Sequence, residues 1–146
     1  DAEACLRKAQ MSLSNELASS RFSLTSDFST RNFYGIEPYV VSIFYNLLSN
    51  SLKFRKEEKE LEIRITLKEV DQRTVLEYQD NGIGFDLEAA GENLFKPFKR
   101  FHLHREGKGV GLYMIKIQTE AMGGTGAIQS KPGMGFTSVI TFLCKP

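Results

Sequence analysis

Four groups of residues in this chain have types and spacings that could do chemistry. Asn46, Asn50 and Lys53 sit in a Leu-rich stretch of helical periodicity. At about 100° per residue, Asn50 lies about 40° around the axis from Asn46 and Lys53 about 20° on the other side. They therefore make one polar stripe over about 10 Å of helix. Asparagine is a poor helix-interior residue, so two of them four apart need a reason. One reading is an edge of solvated amides. The other is a carboxamide oxygen offered to a hard cation, with an ammonium nearby for phosphate oxygens. The second group, Asp80-Asn81-Gly82-Ile83-Gly84-Phe85-Asp86, directly follows a strand-like run ending at Gln79. It reads either as an acceptor beside a closely approached ligand or as an ordinary Asn-Gly turn.

Gly107-Lys108-Gly109-Val110-Gly111 opens a helical pattern. Backbone N–H groups at a helix start, with no Cβ in the way, form a phosphate cradle. The Walker loop does not fit, because Gly109 and not Ser or Thr follows Lys108. The Rossmann fingerprint fails as well, with Met114 where its third glycine belongs. In the fourth group Phe95, Phe98 and Phe101 recur at three-residue steps among Lys96, Lys99 and Arg100. This resembles an amphipathic flap and is too short and isolated for a nucleic-acid surface.

Several elements must position these groups. Ala2, Leu6, Ala9, Leu13 and Leu17 predict one amphipathic helix over residues 2–19. A strand follows over Arg21 to Phe28, and a connecting segment with Asn32, Gly35 and Pro38 leads to the strongest helix. There Val40, Ile43, Phe44, Leu47 and Leu48 form one face, continuing to about Phe54. The charged run Arg55 to Glu60 reads as a solvated turn. Leu61, Ile63, Ile65 and Leu67 alternate as a half-buried strand, with an antiparallel partner over 75–79 through a turn near Asp71-Gln72. Residues 81–108 show little periodicity, and a segment of that length is usually functional or mobile. Val110, Tyr113, Met114, Ile117 and Ala121 mark a further helix, stopped by Gly123-Gly124. A hairpin of residues 126–131 and 136–143 closes the chain. The order α-β-α-β-β-α-β-β predicts an α/β (α+β) two-layer sandwich, about three helices on a mixed sheet of about five strands.

Composition narrows the function. The 146 residues are 41% hydrophobic and 25% charged, and 19 Lys+Arg against 18 Asp+Glu leave a net charge of +1. That argues against recognition of nucleic acid or an anionic membrane by bulk charge and leaves a local basic patch open. Cys5 and Cys144 stand far apart with no paired Cys/His spacing, which reads as two reduced thiols and no zinc site. No apolar run approaches the ~20 residues of a membrane span. The start at Asp1, without Met or a signal pattern, reads as a piece of a longer chain.

Taken together, the four groups resemble the ATP-binding catalytic domain of sensor histidine kinases. That domain belongs to the superfamily shared with type II topoisomerase and heat-shock chaperone ATPases (the Bergerat ATP-binding fold). The resemblance covers about Phe33 to Phe142. Asn46 to Phe54 is similar to the N box, Asp80 to Gly84 to the first glycine box, Phe95 to Phe101 to the phenylalanine box, and Gly107 to Gly111 to the second glycine box. The resemblance implies ATP and Mg²⁺ as ligands. Asn50 would coordinate Mg²⁺, with Asn46 and Lys53 supporting the triphosphate and Arg100 a candidate for the γ-phosphate. Asp80 would accept from the adenine amino group, and Gly82 and Gly84 would let the base approach. Phe98, Lys108, Gly109, Val110 and Gly111 would complete the nucleotide site, with about Asn93 to Lys108 as a lid.

Hydrolysing and serine-directed relatives generally carry Glu where this chain has Asn46. An amide cannot take a proton, whereas a histidine nucleophile needs no such base. Asn46 therefore favours a protein-histidine kinase over an ATPase. Two departures stand out: Ser51 replaces the usual Ala, and Gly135-Phe136-Thr137-Ser138 displaces the aromatic of the last glycine box, which leaves the adenine-side role of Thr137 in doubt. His102 and His104 lie in the lid region and lack phosphoacceptor surroundings, so the phosphorylated histidine is expected outside this chain. Residues 1–20 would be a connector from an upstream dimerisation and phosphoacceptor domain, and 21–146 the catalytic domain. Implied partners are that phosphoacceptor-histidine domain, a response regulator receiver domain and a second copy in the full-length dimer. Neither nucleic acid nor direct membrane contact by this domain is implied, and the implied location is cytoplasmic, with membrane anchoring of the full-length protein left open. A nucleotide-gated interaction module and an ATPase are the competing readings.

Overall fold

A computed structural model describes residues 1–30, 35–84 and 111–143. Its elements run α1 (Ala2–Ser12), α2 (Ser14–Ala18), β1 (Phe22–Phe28), α3 (Glu37–Lys53), β2 (Leu61–Val70), β3 (Arg73–Asp80), α4 (Gly111–Ala121), β4 (Thr125–Ser130) and β5 (Phe136–Leu143). The five strands form one sheet in the order β1-β2-β3-β5-β4. β1 pairs with β2 in parallel, and the other three pairings are antiparallel. Parallel neighbours need a crossover, which α3 supplies between β1 and β2. The expected mixed five-stranded sheet is thus present.

Strand alternation divides the sheet into two faces. Leu61, Ile63, Ile65 and Leu67 of β2 are buried, as are Thr74, Leu76 and Tyr78 of β3 and Phe136, Ser138, Ile140 and Phe142 of β5. They share one core with Val40, Ile43, Phe44, Leu47 and Leu48 of α3 and with Cys5, Leu6 and Ala9 of α1. Glu62, Arg64 and Lys68 point the other way and are exposed. A one-sided sheet of this kind is usual for antiparallel pairings, which do not need helices on both faces. Cys5 is free, and burial pushes its thiol up. Cys144 lies outside the described residues.

Local chemistry explains the element boundaries. α3 carries Pro38 in its first turn, where the missing N–H costs nothing, and Lys53 in its last. The β2–β3 hairpin turns at Asp71 (φ 51) and Gln72 (φ 62), the paired positive φ of a two-residue type I′ connection. The single helix expected over 2–19 is broken. The Ser12 hydroxyl donates to the Lys8 carbonyl (3.3 Å), and Leu13 leaves helical geometry at φ −111, ψ 19. Serine hydroxyls compete with the backbone ladder in this way. Leu13 and Leu17 nevertheless stay in the core.

The face expected for the last helix is also corrected. α4 buries Leu112, Ile115, Gln118 and Thr119, while Ile117 is 43% exposed and Ala121 is exposed. Apolar residues occur around the whole helix, so periodicity chose the wrong stripe. Gly123 and Gly124 end it as expected, their N–H groups bonding to Glu120 and Thr119 carbonyls.

Candidate functional site

Asp80 ends β3 on the same face as Leu76 and Tyr78, which aims its carboxylate at the last turns of α3. Its Oδ2 accepts from the Ser51 hydroxyl at 2.6 Å, and its Oδ1 accepts from the Gly82 N–H at 2.9 Å. The Phe136 N–H donates to the same carboxyl. Burial raises the Asp80 pKa, and these three donors pull it back. Ser51 Oγ is also 2.6 Å from Tyr78 Oη, which donates to the Leu47 carbonyl at 3.2 Å. Burial holds the Tyr78 phenol well above its usual range, so it stays a neutral donor. An ionised carboxylate only accepts. The Ser51 proton is therefore committed to Asp80, and the single Tyr78 proton is shared between Ser51 Oγ and the Leu47 carbonyl.

The glycine loop after Asp80 is pinned by the protein's own backbone. A Cβ on Gly82 would lie 2.6 Å from the Phe54 carbonyl oxygen. Next to it, the Ile83 N–H donates to that same oxygen at 2.8 Å. Gly84 (φ +65) packs against the Lys131 and Gly135 carbonyls, and Gly135 (φ +81) against the Asp80 carbonyl. These close approaches require glycine before any ligand is considered. Asn81 is structural as well: its Oδ1 accepts from the Glu62 N–H (2.8 Å) and its Nδ2 donates to the Glu60 carbonyl (3.0 Å).

The polar stripe of α3 is organised differently. Asn46 is half-buried, and its Nδ2 donates to the Ser42 carbonyl at 2.9 Å and lies 3.3 Å from the Ser42 hydroxyl. That bond keeps the amide nitrogen on its own helix and leaves Oδ1 as the acceptor. Asn50 is half-buried with no hydrogen bond to its side chain among the described residues, and Lys53 is exposed. A Cβ on Gly111, the first residue of α4, would lie 3.1 Å from both Asn50 Oδ1 and Nδ2. The first described turn of α4 thus abuts the Asn50 amide. Among the described residues no cluster of three His, Cys, Asp or Glu could hold a metal. A cation here would rely on the Asn50 oxygen and on ligand oxygens, which suits Mg²⁺ bound with phosphates.

The structure sets Asn50 against Gly111 and, through Ser51 and Phe54, links the same helix to Asp80 and Gly82, while Asn46 and Lys53 share α3 with Asn50 and Gly84 packs on the β4–β5 loop. Phe98, Arg100, Lys108, Gly109 and Val110 lie outside the described residues, as do the lid expected from Asn93 to Lys108, His102 and His104. Thr137 pairs with Gln79 on the face away from α3, while Ser138 shares the Tyr78 face and is 3% exposed. The displaced aromatic therefore turns Thr137 away from Asp80. Sequence reading missed Ser51 and Tyr78 as a pair, and the Arg55 to Glu60 run as more than a solvated turn. Lys56 donates to the Gly133 carbonyl at 2.8 Å and ties that run to the β4–β5 loop. The polar residue at a small-residue position was the available signal for Ser51.

Comparison with known proteins gives the family and the fold. The family model for histidine kinase-, DNA gyrase B- and HSP90-like ATPases matches residues 35–146. Cyanobacterial phytochrome A of Nostoc sp. is 30% identical over 143 residues, 97% of this chain and 18% of that protein. The methanogenesis regulatory histidine kinase FilI of Methanothrix harundinacea is 36% identical over 101 residues, 69% of this chain and 11% of that protein. The chain thus spans less than a fifth of either relative. The solved mycobacterial sensor histidine kinase MprB superposes with a TM-score of 0.83 at 16% identity, covering 100% of this chain and 96% of that one. That likeness is one of fold.

Proposed function

The chain belongs to the family of histidine kinase-, DNA gyrase B- and HSP90-like ATPases, and on that premise we propose that it is the ATP-binding catalytic domain of a sensor histidine kinase. It binds Mg·ATP and transfers the γ-phosphoryl group to a histidine on a separate domain. One observation carries this reading. Asn50 and Ser51 are consecutive residues of α3, one amide against the start of α4 and one hydroxyl on the Asp80 carboxylate. A single helical turn thereby carries an acceptor amide at the phosphate end and braces the Asp80 acceptor at the base end.

The residues take roles accordingly. Asp80 accepts from the adenine amino group. Asn50 offers its carboxamide oxygen to Mg²⁺, and Asn46 and Lys53 support the triphosphate. Gly111 and the preceding Lys108, Gly109 and Val110 supply N–H groups and a cation to phosphate oxygens, with Phe98 and Arg100 closing the site. Bound Mg²⁺ would supply neutralisation of phosphate charge. The protein's own contribution is positioning and electrostatic complement, as in phosphoryl transfer generally. Asn46 supports transfer to histidine, because its amide nitrogen is occupied by Ser42 and its oxygen cannot act as a base for water.

The partners follow from that role: the phosphoacceptor domain, reached through a connector at residues 1–20, a receiver domain downstream, and a second copy in the full-length dimer. No helix among the described residues is long and apolar enough to cross a membrane, and a cytoplasmic location fits this output role. The test supplies the phosphoacceptor domain in trans with γ-labelled ATP. An acid-labile, alkali-stable phosphoprotein is expected. ATP binding without transfer, even with the native partner, would replace this reading with a nucleotide-gated interaction module. Free phosphate release without a partner would point to an ATPase.

A further inference from the structure

Ser51 stands inside α3 at 1% exposure, where alanine would pack as well and favour the helix more. Its hydroxyl therefore needs an account of its own. A helical serine usually turns back to the carbonyl four residues earlier, here that of Leu47. The single Tyr78 phenol proton lies between that oxygen, at 3.2 Å, and Ser51 Oγ, at 2.6 Å. Ser51 is thus drawn away from its own helix, and its proton goes to Asp80 Oδ2 at 2.6 Å. A carboxylate offers about four lone-pair positions. Ser51, Gly82 and Phe136 fill three of them. About one acceptor position remains, enough for a single N–H from a ligand.

Resting on the reading of Asp80 as the adenine acceptor, we propose that Ser51, itself held by Tyr78, is a positioning residue. It aims the Asp80 carboxylate and so sets how strongly the site prefers a purine bearing a 6-amino group. The hydroxyl does not touch the nucleotide. It fixes which lone pair faces outward, and it couples the end of β3 to the helix that carries Asn50. Because the carboxylate can only accept, the same arrangement disfavours a purine with a carbonyl oxygen at that position.

The test compares ATP with purine riboside triphosphate, which lacks the 6-amino group, by calorimetry on wild type, Ser51→Ala and Tyr78→Phe. Wild type should prefer ATP by about thirtyfold. Ser51→Ala should cut that preference about tenfold by weakening ATP alone, and Tyr78→Phe about threefold in the same direction. Equal weakening of both nucleotides in Ser51→Ala would reduce the hydroxyl to a purely structural group and overturn the proposal. An unchanged preference in both variants would overturn it too. Should wild type bind the two nucleotides equally, the assignment of Asp80 to the base fails first and takes Ser51 with it. A discriminating wild type with a discriminating Ser51→Ala leaves Asp80 standing and removes Ser51 alone.

Discussion

The two ends of the candidate site are built on opposite principles. At the Asp80 end three donors are already in place on the carboxyl, and Ser51 and Tyr78 behind it are 1% and 0% exposed. At the Asn50 end the side chains are half-buried or exposed, and the Asn50 amide has no hydrogen-bond partner among the described residues. One end is satisfied within the protein, and the other is the proposed phosphate side. Burying a polar network is costly unless it is satisfied, so the first end has to be rigid. Phosphates and a hydrated cation bring their own hydrogen-bonding groups, so the second end can stay open. The contrast teaches that the proposed base side is preorganised by the protein, while the proposed phosphate side is left to be completed by what binds.

The largest expected effect strikes the scaffold of the preorganised end. Gly135→Ala forces a side chain into φ +81 and against the Asp80 carbonyl, and should cost ~3 kcal/mol of stability. A denaturant titration with an unchanged midpoint would show that the loop is not rigid. At the open end, Asn50→Ala should lower Mg·ATP affinity about a hundredfold, ~2.7 kcal/mol. With the metal chelated, wild type and variant should converge. Calorimetry showing the same metal-dependent binding in the variant would remove the cation from Asn50.

Asp80→Ala comes next, weakening ADP and ATP alike by about thirtyfold, ~2 kcal/mol. A variant that loses ATP and keeps ADP would move Asp80 to the phosphate side. Gly111→Ala should push the Asn50 amide aside by a few tenths of an ångström and reduce Mg·ATP binding about tenfold, with metal-free ADP hardly changed. Equal loss of both would mean that the two ends are not independent.

The smallest effect is on pH dependence. Burial raises the folded-state pKa of Asp80, so the folded chain takes up this proton more readily than the unfolded one. Its contribution to stability is fully present below the ordinary carboxylate range and is lost as pH rises through the raised folded value. Adenine binding runs the other way, because protonation removes the acceptor. On acidification ATP should therefore weaken before the fold does. Asp80→Asn should flatten that dependence of ATP affinity, and a variant that retained it would assign the proton elsewhere.

Local pattern revealed what is local. The alternation of Leu61 to Leu67 and the apolar face from Val40 to Leu48 stated β2 and α3 outright. The Asn46, Asn50 and Lys53 stripe followed from helical arithmetic once α3 was recognised. The glycines marked their loops, but not that Phe54, Lys131 and Asp80 backbone atoms fill the space beside them. Such neighbours come from other elements and leave no trace in spacing. For the same reason the Tyr78–Ser51–Asp80 chain was invisible, since it forms only when β3 is laid against α3. α4 failed in the opposite way: its apolar residues surround the axis, and only packing selects Leu112, Ile115 and Thr119 as the inner side.

α3 also has a mechanical side. Its first turn carries Glu37, joined by an ion pair to Lys8 of α1, and its last two turns carry Asn46, Asn50 and Ser51. From end to end the helix is 17 unbroken residues, a strut of about 25 Å. Load applied through α1 at one end reaches the nucleotide end as tilt or translation of a stiff bar, with no hinge in between to absorb it. Because Asn50 and Ser51 are neighbours on that bar, such a movement shifts the Asn50 amide and the brace on Asp80 together, not one against the other.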